Sequence, residues 1–236
     1  MNSLPKSGTH LLERALCLHP RLYRPILPTI SESNVHQRGG LERLLARLRP
    51  GQILVSHLWC DPRRVAEIRT AGVVGLLMVR DPRDIVISTA HYAASNPRHP
   101  WHRRYLAEPS VSDRIRLTIV GDDEVEPITD LLHGFAEWQR HGFLLVRFED
   151  LVGPPGGGDA VSQLECLRGI YRHIGMPVSE ALLGRIQGQL FSSRSPTFRR
   201  GAIGEWRSAF DDKTIALFDE TATQLLHDLG YGVRAP

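Results

Sequence analysis

The chain opens Pro5-Lys6-Ser7-Gly8-Thr9-His10-Leu11-Leu12, and this stretch constrains its fold more than any other. A proline turn, a lysine and a run of small residues with a glycine lead straight into an apolar helical segment. The N–H groups of such a loop and of the helix turn after it converge on one point, where the lysine adds a full charge. The design suits a phosphate or a sulfate. It is not a Walker A loop, because no Gly-Lys-Ser/Thr follows a glycine at the required distance. Asn2–Leu4 reads as the strand that feeds the loop, and Thr9–Leu18 as the helix that leaves it.

The same strand-then-helix rhythm continues along the chain. Leucines at helical spacing mark Leu41–Leu48, which Pro50-Gly51 stops. Gln52–Ser56 reads as a strand and Pro62–Thr70 as a helix. Val73–Val79 is apolar throughout, as a parallel strand covered on both faces would be. Asp81 and Pro82 then form the N-cap and first position of a helix to Ala94. Further on, Ile128–His141, Val161–Ile174, Ser179–Gln187 and Asp211–Leu229 read as helices, and Phe143–Phe148 as another buried strand. Gly153–Gly158 reads as a flexible surface insertion or turn. This alternation predicts an α/β fold, a single domain over 1–236 with a central parallel sheet flanked by helices. Three stretches without clear period, about 31–40, 95–113 and 194–207, are expected as mobile or acceptor-side loops.

Bulk properties narrow the function. A formal charge of +3 fits a small anionic ligand better than nucleic acid, which calls for a dense basic stripe. The three cysteines, Cys17, Cys60 and Cys166, are widely spaced and odd in number, so neither a disulfide framework nor a zinc site is read. Reduced thiols and a cytoplasmic location are expected. The longest wholly apolar run, Gly72–Val79, falls far short of the ~20 residues of a membrane helix. The opening residues lack a basic region followed by an apolar one, so no leader or membrane anchor is expected.

Candidate chemistry follows strand ends, where open parallel sheets bind ligands. Lys6 follows the first strand, His57 the second and Arg80 the third. In Arg80-Asp-Pro-Arg-Asp-Ile-Val-Ile-Ser88 an arginine leaves a buried strand and a hydroxyl follows eight residues on, a combination that can clamp a phosphate. Equally open is a structural Arg80–Asp84 pair with Ser88 packed. In Arg199-Arg200-Gly201 two guanidiniums precede a glycine that lets the backbone approach an anion closely; a solvated basic loop is the plainer account. Trp101 and Tyr105 are read as lining an acceptor pocket. Cys60 is read as a neighbour of that pocket and Glu149 and Asp150 as structural.

Taken together, these segments resemble the PAPS-dependent sulfotransferases. Lys6-Ser-Gly-Thr9 resembles their 5′-phosphosulfate loop, and Arg80 to Ser88 their 3′-phosphate motif at the same spacing. Phe198-Arg-Arg-Gly201 with Gly204 and Trp206 is similar to their Arg-Lys-Gly-x-x-Gly-x-Trp element, and Val146-Arg-Phe-Glu-Asp-Leu151 to their Arg-Tyr-Glu-Asp-Leu strand. The chain departs from the family pattern at His10, Leu11 and Phe148.

The resemblance implies a fold related to the P-loop kinases. It also implies transfer of a sulfonate from 3′-phosphoadenosine 5′-phosphosulfate (PAPS) to a hydroxyl, or less readily an amine, of a small acceptor. Lys6, Ser7, Gly8, Thr9 and His10 would hold the 5′-phosphosulfate; Arg80, Ser88, Arg199, Arg200 and Gly201 would hold the 3′-phosphate. His57 would be the general base, and Lys6 would also stabilise the leaving phosphate. No metal, nucleic acid or membrane is implied, and the oligomeric state is open. A non-catalytic sulfotransferase-like binding protein and an ATP-dependent small-molecule kinase are the alternatives.

Overall fold

The structure, a computed structural model, describes residues 1–192 and 200–232. In chain order its elements are β1 (Asn2–Ser3), α1 (Thr9–Cys17), β2 (Ile30–Ser31), α2 (Gly40–Leu45), β3 (Ser56–His57), α3 (Pro62–Ala71) and β4 (Leu76–Val79). They continue with α4 (Pro82–Ser95), α5 (His102–Ala107), α6 (Val111–Val120), α7 (Ile128–Ala136), β5 (Leu144–Arg147) and α8 (Phe148–Leu151). The last are α9 (Ala160–His173), α10 (Glu180–Leu190), α11 (Trp206–Ala209) and α12 (Asp212–Asp228). The fold is α/β, and the chain divides into two compact units: Met1–Val79 with Glu137–Gly201, and Arg80–Ala136 with the chain from Ala202 on.

The first unit holds the sheet, five parallel strands in the order β2-β3-β1-β4-β5. The strand that opens the chain is therefore its centre. Asn2 is in register with Ser56 on one side and Leu77 on the other, which sets the loop after β1 beside the end of β3. Every residue of β4 is buried, as its unbroken apolar run requires. Ile30, Val35, Leu41, Leu44, Leu45 and Leu58 form a buried cluster, against which Leu48, Leu54, Ile68 and Val73 pack. Trp138 is buried on Phe143 (ring centroids 4.6 Å apart) and donates its indole N–H to the Leu58 carbonyl at 2.8 Å.

The second unit is helical: α4 packs on α5 and α6, and α12 packs on α6 and α7. Helices α4, α6 and α12 begin where their sequences cap them. Asp81 accepts from the Arg83 N–H at α4, Ser110 from Asp113 at α6 and Asp211 from Thr214 at α12. Such caps contribute ~1 kcal/mol each.

The structure corrects several expectations. The 95–113 segment is not an irregular loop: it carries α5 and the start of α6. Short-range bonds rather than a long apolar stripe hold it. Ser110 Oγ donates to the Asp113 carboxylate at 2.5 Å and accepts its N–H at 3.1 Å, a capping box in miniature. Tyr105 is fully buried, its hydroxyl bonded to Thr118 at 2.9 Å, so it is a core residue and not a pocket wall. The second predicted strand moves from Gln52–Ser56 to Ser56–His57, with Gln52 left in an isolated bridge to Tyr23. Gly153–Gly158 is a packed turn and not a flexible insertion. Gly156 is buried, and a Cβ there would lie 2.3 Å from a Val152 methyl and 2.5 Å from the Gly201 carbonyl.

Candidate functional site

The loop between β1 and α1 is strained and firmly tied. Lys6 has φ 64°, alone among the described non-glycine residues in the left-handed region, where an L-residue costs ~1–2 kcal/mol. Ser7, fully buried, holds it there: its N–H bonds to the Leu4 carbonyl at 3.2 Å. Its hydroxyl donates to the same carbonyl at 2.7 Å, with the Met78 carbonyl at 3.1 Å. Ser7 thus shapes the loop. Gly8 has φ 103°, and a Cβ there would stand 2.7 Å from the Phe148 ring and 2.9 Å from the Met78 methyl. Only glycine fits, and Phe148 is the floor against which the loop closes.

Gly8 is also the N-cap of α1, which has no side-chain cap. By contrast α3, α4, α6, α9, α10 and α12 each carry an Asp or Ser cap. Gly8 thus offers no side chain to the first-turn N–H groups of α1, which carry the positive end of the helix dipole. Thr9 and His10 stand in that first turn. His10 is exposed, its Nδ1 3.6 Å from the Glu13 carboxylate, which also accepts from Arg24 at 2.6 Å. Burial would raise the Glu13 pKa, but hydrogen bonds from His10 and Arg24 leave it below the ordinary value.

His57 ends β3 next to this loop. Its Nδ1 lies 2.7 Å from the Ser3 carbonyl, which can only accept, so the ring proton sits on Nδ1 and Nε2 keeps its lone pair. Burial lowers the His57 pKa below 6.5; the Ser3 bond opposes this, while the charges of His10 and Lys6 reinforce it. The neutral imidazole is favoured, as a base needs. The Ser3 hydroxyl adds a link that the sequence did not announce, lying 3.1 Å from His57 Nδ1 and 2.9 Å from Thr9 Oγ1. Beyond His57 the chain is pinned by Asn2, which donates to the Leu58 carbonyl at 2.8 Å and accepts its N–H at 2.9 Å.

In the second unit Arg80 is buried and donates to the Ala202 carbonyl at 2.7 Å, 3.5 Å from the Asp84 carboxylate. Asp84 accepts the N–H groups of Gly204 at 2.7 Å and Trp206 at 3.0 Å. Burial raises its pKa, against the pull of Arg80 and those two N–H groups. Arg83 grips Asp81 through two bonds of 2.9 and 2.7 Å, and its guanidinium lies 3.9 Å over the Trp206 ring. The Arg-Asp-Pro-Arg-Asp segment and the Gly-x-Trp segment are therefore two halves of one fastening. The structural Arg80–Asp84 pair left open by the sequence is present. Ser88 stands one turn beyond Asp84 on α4, half-buried.

Of the residues that sequence reasoning named, Thr9 and His57 both lie against Ser3 in the first unit, and Lys6, Ser7, Gly8 and His10 stand in the loop and first helical turn on either side of Thr9. Arg200 is exposed, and Gly201 has φ 61°; Arg199 lies outside the described residues. Ser3 was missed as an organiser, and Asp84, read only as a partner for Arg80, was missed as the acceptor for Gly204 and Trp206. The polar Asn2-Ser3 pair within a strand was a signal for the first, and the second carboxylate of Asp81-Pro-Arg-Asp84 for the other.

The five-stranded parallel sheet in this order, with the Lys6–Gly8 loop leaving its central strand, is shared with a sulfotransferase of known structure. Among solved structures, mouse sulfotransferase SULT7A1 complexed with PAP is 20% identical, with a TM-score of 0.69 over 95% of this chain and 82% of that one. Retinol dehydratase in complex with androsterone and the inactive cofactor PAP is 16% identical, with a TM-score of 0.64 over 100% and 81%. Retinol dehydratase with retinol and PAP is 18% identical, at 0.61 over 100% and 82%. No family model and no curated protein matches the chain.

Proposed function

We propose that the chain is a sulfotransferase that moves a sulfonate from PAPS to a hydroxyl of a small acceptor. The observation that carries this is the pairing of a glycine-floored oxyanion loop with a histidine fixed as the Nδ1–H tautomer beside it. The acceptor oxygen attacks sulfur as His57 Nε2 takes its proton, and the bond from sulfur to the bridging oxygen breaks in line. Adenosine 3′,5′-bisphosphate (PAP) leaves with the bonding pair. Lys6 and the first-turn N–H groups of α1 offset the charge that gathers on its 5′-phosphate, the kind of stabilisation that dominates such transfers.

The loop fits that donor: a Cβ would fill the cradle at Gly8, and no side chain caps α1. In this reading Thr9 and His10 complete the 5′ end, and Arg80, Ser88, Arg199, Arg200 and Gly201 serve the 3′-phosphate. That assignment follows the sequence resemblance. Among the described residues no helix is long and apolar enough to cross a membrane. The free cysteines fit a reducing cytoplasm; burial pushes Cys60 up to about 11 and Cys166 up to about 12, which keeps both as thiols.

The test pairs binding with turnover. Calorimetry should show PAP binding without a divalent metal, and labelled PAPS should pass its sulfonate to members of a panel of phenols and alcohols. His57→Ala should still bind PAP, within about tenfold of wild type, and lose turnover by roughly 10²–10⁴-fold. A His57→Ala protein with unchanged turnover would favour a binding module, and a preference for ATP with magnesium would favour a kinase.

A further inference from the structure

Resting on the reading of His57 as the base, we infer that Ser3 is a positioning residue: its hydroxyl forms a directional link through which His57 sets the hydroxyl proton of Thr9 toward the bound sulfonate donor. Three distances carry this. Nδ1 of His57 is 2.7 Å from the Ser3 carbonyl and 3.1 Å from Ser3 Oγ, and Ser3 Oγ is 2.9 Å from Thr9 Oγ1.

The directions follow from what each atom can do. The carbonyl can only accept, so Nδ1 carries its proton and cannot accept from Ser3. Ser3 Oγ, fully buried, accepts a share of that N–H, and its own proton can then go to Thr9 Oγ1, 2.9 Å away. The Thr9 proton is then turned away from Ser3. Thr9 opens α1 at the uncapped end where the oxyanion loop closes, so that proton is available to an anion oxygen.

The consequence is a coupling between base and donor. When His57 takes the acceptor's proton on Nε2 it becomes an imidazolium, and its Nδ1–H becomes a stronger donor. Each bond in the chain polarises the next, so the Thr9 hydroxyl strengthens as charge gathers on the leaving phosphate. No proton travels along the chain; the acceptor's proton stays on Nε2. By reciprocity, PAP should raise the affinity of His57 for a proton by the same factor that protonation raises the affinity for PAP. Lys6 and His10 act on His57 through space from the loop and from α1. Glu32, just past Ser31 on the neighbouring strand, is paired to Arg64 at 2.6 Å.

The experiment reads this coupling without an acceptor. NMR titration of the His57 ring, with and without PAP, gives the PAP-induced change in its proton affinity for wild type, Ser3→Ala, Ser3→Thr and Thr9→Val. Ser3→Ala removes the hydroxyl and leaves the backbone carbonyl, so the tautomer persists and the through-space share remains. The expected result is a roughly two- to tenfold loss of coupling in Ser3→Ala, the worth of one hydrogen bond, with Ser3→Thr retaining it. Thr9→Val should show the same loss, and the double variant no more than either alone. If Ser3→Ala does not fold, Thr9→Val with Ser3→Thr gives the same reading. Wild-type coupling in Ser3→Ala, or losses that multiply in the double variant, would overturn the link while leaving the sulfotransferase reading intact. Absence of PAP binding in the wild type would take down both.

Discussion

At the scale of single residues, Lys6 shows strain serving a site. A lysine at φ 64° is held there by its neighbours: Ser7 ties the loop and Gly8 closes it on Phe148. Stability and binding should therefore part company there. Lys6→Gly relieves left-handed strain worth ~1 kcal/mol but deletes the cation. Thermal unfolding should occur at the same or a higher temperature, while PAP affinity falls roughly tenfold or more. A parallel drop in both would mean that the lysine is structural. His57 carries a second expectation. Its pKa is lowered in the fold, so its contribution is present above about pH 6.5 and lost as pH falls through the folded value. Melting temperatures at two pH values on either side of that window should show His57→Asn losing less stability on acidification than wild type does.

At the scale of elements, the fastening of α4 to the 202–206 segment rests on Asp84. Removing it leaves Arg80 buried beside an absent counter-charge and frees two backbone N–H groups. Asp84→Ala should cost ~3–5 kcal/mol by denaturant unfolding. Arg63→Ala, which breaks the exposed Arg63–Glu67 pair, should change stability by less than ~1 kcal/mol. Equal effects would deny the fastening. The elements most legible in the sequence were those with strong local codes. β4 announces itself as an apolar run and α4 as Asp81-Pro82 before a helical pattern; α4 lies where the sequence puts it, and β4 keeps the Leu76–Val79 part of the expected Val73–Val79. α5 escaped because it is six residues long and set by tertiary bonds such as His102 to the Ala93 carbonyl, which no local pattern encodes. β3 shifted because its pairing is decided by register with Asn2 rather than by the apolar residues Ile53 and Leu54 ahead of it.

At the scale of the whole molecule, the sequence named the candidate site residues but not what joins them. Strand ends could be read from patterns, which put Lys6 after the first strand and His57 at the end of the second; that these two strands are neighbours appears only in the sheet. The Ser3 hydroxyl between His57 and Thr9 depends on a side-chain direction that appears only once β1 and β3 pair. The fold is shared with PAP-bound sulfotransferases at 16–20% identity, so the claim that this chain uses their donor rests on the loop and His57. Titrating the wild-type protein with PAP by calorimetry, in a metal-free buffer and against ATP with magnesium, tests that claim most directly. The expected result is saturable binding of PAP at one site per chain, with ATP and magnesium weaker. Absence of PAP binding, or tighter binding of ATP with magnesium, would contradict it.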